Sequence, residues 1–285
     1  MKMQGSDFIS RQDSMRAYLL LVPIALASVG PAAAAEPRLA PHRAVYELTL
    51  KTARETGGVR GVSGRIAMEA REDVCGDFEL VYRQVMRMAS AEGTPNVIDF
   101  RSTTHESTDG KTFSFDNKTF INGEADSTVI GKGERTAGEA DVELTSPAQQ
   151  KVNLQKGTVF PTQHLRLVLE AARKGRPTVQ VPVYDATDPG NVVTDTVAFI
   201  GERRDPDPRS DALLNRAKIG DHHVWPVSIG YFEKTGAQDD QQPKFVYTAE
   251  LMDNGITPSV KLDYGTFVVE GRLVELELFP GPDCR

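Results

Sequence analysis

His42-Arg43-Ala44-Val45-Tyr46-Glu47-Leu48-Thr49-Leu50 puts Ala44, Tyr46, Leu48 and Leu50 on one side of an extended chain and Arg43, Glu47 and Thr49 on the other. A period of two is the mark of a half-buried β-strand. The pattern returns after Gly57-Gly58 as Val62, Gly64, Ile66, Met68 and Ala70. It predicts further strands over 78–88, 97–105 and 111–115, then over 178–184, 192–202, 224–233, 244–252, 260–262 and 265–279. Asp109-Gly110, Asn122-Gly123 and Asn254-Gly255 predict tight turns, because such turns need positive φ, which these residues tolerate. Many strands joined by short turns make an antiparallel sheet long enough to curl.

One segment breaks the alternation. From Thr162 to Gly175, Leu165, Val168, Leu169 and Ala172 recur at i, i+3, i+4 and i+7, which predicts a one-faced helix over about 162–174. Pro161 or Thr162 opens it, Arg173 and Lys174 suit the negative end of its dipole, and Gly175 suits a left-handed stop. A lone apolar stripe has to be buried, and the sheet is the surface on offer. The segments 203–213, with its Asp-Pro-Asp-Pro, and 233–243 read as exposed loops. No linker long enough to separate two domains occurs.

The chain has 285 residues with 33 Lys+Arg against 40 Asp+Glu, a formal charge of −7. That balance argues against nucleic acid as a partner, since such binding needs clustered cations to neutralise phosphates. Lys2, Arg11 and Arg16 precede an uncharged, mostly apolar run from Ala17 to Gly30 and then Ala32-Ala33-Ala34-Ala35. That order predicts a secretory signal peptide over 1–35, cleaved after Ala35, with 36–285 as a single exported domain. The apolar run holds Pro23 and falls short of the ~20 residues a membrane anchor needs. No stable membrane insertion is expected.

Export makes the two cysteines, Cys75 and Cys284, legible. An oxidising compartment lets a disulfide form and persist. Closing so long a loop is worth roughly 5 kcal/mol in the chain-entropy model, before native-state strain subtracts from it. The alternative is two unpaired thiols.

Motifs that carry chemistry are scarce. No G-x-S-x-G, P-loop or H-E-x-x-H occurs, and Gly131-Lys132-Gly133 lacks the rest of a dinucleotide loop. Asp221-His222-His223 is the densest polar set, but adjacent histidines on a strand point to opposite faces and cannot chelate together. His164 reads as a packed or capping side chain. Asp205, Asp207 and Asp211 mimic the start of a calcium loop, yet Ser210 and Arg216 stand where its Gly and Glu belong, so they read as an exposed acidic turn. No catalytic, cofactor-binding or metal-binding residue is nominated, and no cofactor is expected.

Ala40-Pro-His-Arg-Ala-Val-Tyr46, Phe160-Pro-Thr-Gln-His164, Val224-Trp-Pro-Val-Ser-Ile-Gly-Tyr-Phe232, Asn254-Gly-Ile-Thr257, Leu262-Asp-Tyr-Gly265 and the terminal Cys284 occur in that order. Together they resemble the EipB (cell-envelope integrity protein B) family of periplasmic proteins. The resemblance implies a spiral-like, broken antiparallel β-barrel with one packed α-helix and a Cys75–Cys284 disulfide. It also implies a soluble, non-enzymatic periplasmic role in envelope integrity under stress, with a tetratricopeptide-repeat protein as a type of partner. Phe78, where Trp is usual, and Val183-Tyr-Asp185, a trimmed motif, depart from the family pattern. A sheet with apolar inner faces can also form a cup for a lipid-like ligand. The competing expectations are a hydrolase or metalloenzyme acting on envelope polymers through Asp221, His222 and His223, and a purely structural adaptor.

Overall fold

The computed structural model describes residues 38–55, 58–73, 76–90, 93–136, 139–187, 193–219, 223–233 and 242–281. Eight strands come first: β1 (His42–Ala53), β2 (Val59–Glu72), β3 (Phe78–Ser90), β4 (Asn96–Glu106), β5 (Thr112–Ile121), β6 (Glu124–Thr136), β7 (Glu139–Ser146) and β8 (Gln150–Leu154). Helix α1 (Pro161–Arg173) follows. Then come β9 (Thr178–Val183), β10 (Thr194–Ile200), α2 (Pro208–Arg216), β11 (Val224–Phe232), β12 (Phe245–Met252), β13 (Ser259–Asp263) and β14 (Phe267–Leu278).

All fourteen strands lie in one antiparallel sheet, ordered β8-β7-β6-β5-β4-β3-β2-β1-β14-β13-β12-β11-β10-β9. Two meanders, β1–β8 and β9–β14, are thus sewn together where β1 pairs with β14, His42 opposite Leu278 and Ala53 opposite Phe267. The sheet does not close, because β8 and β9 are its two ends. The chain leaving β8 turns back to β9. There Val159 forms a parallel bridge to Val183, with Val159 N–H on Pro182 O at 2.9 Å and Tyr184 N–H on Val159 O at 3.0 Å. The alternation and the one-faced helix predict a curled sheet with a helix packed on it, and the broken, unclosed barrel is what the family resemblance implies.

Alternation fixes which face turns inward. Ala44, Tyr46 and Leu48 of β1 are buried, with Val62 and Ile66 of β2 on the same face. The outer face carries ion pairs such as Arg83–Asp99–Arg101 and Arg65–Glu47. Helix α1 lies inside the curl: Val168, Leu169, Ala171 and Ala172 pack with Ala70 and Phe78 from one meander and Ala198, Val227, Ile229 and Leu251 from the other. Burying Val168 and Leu169 contributes roughly 1.5–3 kcal/mol each. Gly175, at φ +64, ends the helix, and Arg176 N–H reaches Ala171 O at 2.8 Å.

Three differences from the sequence reading have physical causes. Helix α1 runs one residue earlier than 162–174, with Pro161 at its first position. Strands β6, β7 and β8 lie where the reading placed no strand; β7 alternates with Ala140, Val142 and Leu144 buried, whereas β6 carries Gly131 and Gly133 at its inward positions. A methyl on Gly133 would meet the Phe160 ring at 2.8 Å, and one on Gly131 would meet the Phe115 ring at the same distance. The Phe115 and Phe160 rings thus fill the space these glycines leave, packed with Val129, Ala140, Val142, Leu144 and Leu154 of the same stretch.

The third is α2, which forms where 203–213 reads as loop, so the fold has a second helix. Asp207 is its N-cap, accepting from Arg209 N–H at 2.9 Å, and Pro208 follows. Leu214 of α2 is fully buried against Val224, Met252 and Ile256. The second Asp-Pro of the supposed acidic turn is a helix start.

Candidate functional site

The inward faces of β11 and β12 become aromatic towards one end of the sheet. Val227, Ile229 and Tyr231 alternate inward on β11, and across from them Ala249, Tyr247 and Phe245 do the same on β12. Tyr231 and Phe245 have ring centroids 5.6 Å apart, and Phe245 lies 5.1 Å from Tyr264. Tyr264 is held just beyond β13 by a turn in which its N–H donates to Phe267 O at 3.0 Å and Gly265 N–H donates to Asp263 Oδ1 at 2.8 Å. From β4, Phe100 adds a fourth ring, edge-on to Tyr82 at 6.1 Å.

These four rings line a cavity of about 590 Å³ with Asp185, Thr187, Thr194, Glu233 and Lys244. Phe100, Tyr231, Phe245 and Tyr264 are each only half-buried, so their free surface faces this space. A volume of that size lies in the range of small-molecule sites. A second cavity of about 180 Å³ lies beneath α1, lined by Leu165, Val168, Ile229, Tyr247 and Leu251 among others, and Tyr231 stands in the wall of both.

The polar groups nearby are held in fixed states. Burial pushes Tyr46, Tyr82, Tyr231 and Tyr264 above the ordinary phenol value, and Tyr247 up to about 12. All are uncharged at neutral pH. Tyr46 donates to Thr257 O at 2.8 Å, and Tyr82 donates to Gln84 Oε1 at 2.7 Å. His164, in the wall of the smaller cavity, is held down to about 4 by burial. Its Nε2 lies 3.3 Å from Thr196 Oγ1, whose own proton goes to Val181 O at 2.7 Å. Nε2 is therefore the donor, and the neutral ring packs as the sequence predicts for His164.

The roof of the interior is fastened by charge. Phe160, the N-cap of α1, has no capping acceptor and stacks instead on Phe113 at 4.9 Å. The capping is done from β4: Glu106, 2% exposed, accepts Thr162 N–H at 2.7 Å and Gln163 N–H at 2.8 Å. Burial raises the Glu106 carboxyl, opposed by those two N–H groups and by Arg166. Arg166, also buried, donates to Thr108 O at 2.6 Å.

Among the described residues the other candidates form no centre. Asp221 and His222 lie outside the described residues, and so do Cys75 and Cys284. His223 Nδ1 is 2.8 Å from Asp205 Oδ1 at the surface. The Asp207 carboxylate accepts from the Arg209 guanidinium and from Arg209 N–H, as the cap of α2. Asp73, Asp77 and His105 can bring one ligand atom each within 4.8 Å. Asp77 Oδ1 is already used by Thr108 N–H at 3.0 Å, and Asp73 Oδ1 by Asp77 N–H at 3.0 Å. The aromatic cavity is readable in the sequence only after the fact: its residues sit at the ends of alternating runs and in Leu262-Asp-Tyr-Gly265 and Val183-Tyr-Asp185.

Comparison with known proteins places this geometry. A family model described as EipB-like matches residues 33–280. The cell envelope integrity protein EipB of Brucella abortus (strain 2308) is 35% identical over 248 residues, covering 87% of each chain. A crystal structure of a beta-barrel-like protein of a domain of unknown function, also from Brucella abortus, superposes with a TM-score of 0.79 at 35% identity. It covers 85% of this chain and 99% of its own.

Proposed function

Because the chain belongs to the EipB-like family, we propose that it is a soluble, non-enzymatic periplasmic protein that supports the integrity of the cell envelope under stress, holding an apolar or lipid-like ligand in its aromatic cavity. The observation that carries this reading is the likeness, across most of both chains, to a protein named for envelope integrity. The half-buried rings around about 590 Å³ of space support the ligand, since apolar surface facing a cavity gains free energy when a hydrocarbon chain displaces its water. Among the described residues no helix is long and apolar enough to cross a membrane.

The role is tested by deletion. Cells lacking the protein are expected to become sensitive to detergents and to envelope-targeting antibiotics, and to recover on complementation. Wild-type resistance in the deletion strain would overturn the role. Native mass spectrometry of protein taken from its own periplasm tests the ligand. Retained extra mass is expected for a carrier, and bare protein for an adaptor that works through a partner such as a tetratricopeptide-repeat protein.

The Cys75–Cys284 disulfide belongs to the same proposal. Cys75→Ser and Cys284→Ser are expected to lower the melting temperature and protease resistance by equal amounts, with the double variant no worse than either single. Unequal losses, or free thiols in the exported protein, would show that the two sulfurs are not partners.

A further inference from the structure

The polar groups of the aromatic cavity carry the ligand assignment further. Resting on the cavity reading just given, we infer that this cavity selects an amphiphile with a cationic, ammonium-type head over neutral and anionic amphiphiles of equal chain length.

Among the described residues, five titratable side chains line the space: Asp185, Glu233, Lys244, Tyr231 and Tyr264. The two phenols are uncharged at neutral pH, for the reason given above. Lys244 is engaged by the Glu233 carboxylate, so that pair is neutral as a unit. Asp185 is left as the unbalanced charge. Its Oδ1 accepts the N–H of Thr187 at 3.0 Å and the Thr187 hydroxyl at 2.8 Å. Among the described residues no Lys, Arg or His lies within ion-pair reach of it. Asp185 lines the cavity together with Tyr231, and its charge adds to the burial that raises that phenol.

The rings supply the second half of the selection. Aromatic faces carry negative quadrupoles and attract cations, more so where water is excluded. Phe100, Tyr231, Phe245 and Tyr264 offer four such rings around one space. An ammonium head placed there meets the π faces and the Asp185 carboxylate together. A neutral head meets neither, and an anionic head is repelled by the uncompensated carboxylate. The tail has its own place, because Tyr231 also borders the apolar cavity beneath α1, among Leu165, Val168 and Ile229.

The test is isothermal titration of the exported chain, at low ionic strength, with three probes below their micelle concentrations: dodecyltrimethylammonium, dodecanoate and a dodecyl polyoxyethylene ether. The ammonium probe is expected to bind about tenfold more tightly than the ether, with dodecanoate weakest. Added salt should shrink that advantage. Asp185→Asn, checked for unchanged circular dichroism, should bring the ammonium probe down to the ether's affinity and leave the ether unaffected. Phe245→Ala should weaken all three probes. Equal affinities, an ammonium preference that survives Asp185→Asn, or insensitivity to Phe245→Ala would each overturn the selection while leaving an apolar site standing. No binding by any probe would overturn the cavity reading on which the selection rests.

Discussion

Glu106→Ala is expected to lower the free energy of unfolding by about 3–5 kcal/mol. The carboxylate, from the last residue of β4, accepts both N–H groups that the first turn of α1 leaves open, and Phe160 at the N-cap has no acceptor to replace it. Alanine strands two buried donors, each worth about 1–3 kcal/mol when unpaired, and leaves buried Arg166 without its neighbouring anion. Glu106→Gln keeps one carbonyl oxygen and should lose about half as much. Urea unfolding of the three proteins measures the difference. A loss under about 1 kcal/mol for Glu106→Ala would mean that water satisfies the helix end.

Acidification is expected to unfold the protein through its buried histidines, and the signs can be separated. His164 and His42 are both held below the ordinary imidazole value by burial, His164 down to about 4. The unfolded chain therefore takes up these protons first. Their contribution to stability is complete above pH ~6.5 and is lost as pH falls towards 4, and for His164 alone it amounts to about 3 kcal/mol. Glu106 works in the opposite sense: its raised carboxyl takes a proton more readily in the folded state, so it adds nothing to acid unfolding. Unfolding curves at pH 7 and pH 4 should show the wild type less stable at pH 4, the His164 loss of about 3 kcal/mol being partly offset by protonation of Glu106. His164→Gln, whose amide can still donate to Thr196, should remove most of the His164 share. An equal loss in both proteins would clear His164 of the effect.

Strands with a hydrocarbon-rich inner face and a charged outer face announce themselves, and β1, β2 and β3 are of that kind. The turn at Asn122-Gly123 was legible for a similar reason, since both residues adopt positive φ, 55° and 88°. The sequence is silent where one element supplies what another needs. The inward glycines of β6 make sense only once Phe115 and Phe160 are seen in their places. The cap of α1 is illegible because its acceptor is Glu106, far away in the chain. Helix α2 was hidden by its prolines, which suggest a loop until Asp207 is recognised as a cap. The site divides in the same way. Aromatic residues at the ends of alternating runs are visible in the sequence, but their convergence on one cavity depends on the curl of the sheet. The unpaired charge of Asp185 depends on where Lys244 finds its partner.

The seam between β1 and β14 sets a timetable. A polypeptide delivered N-terminus first has its opening strand ready while the mate for one whole flank of that strand is still to come. The mate runs from Phe267 to Leu278 and follows every other strand of the sheet in the chain. Until then the first meander carries a long, sticky border of unmet peptide groups, the kind of margin that recruits the wrong neighbour. Shortening the polypeptide ahead of Phe267 would leave that border permanently open, and the expected product is aggregate.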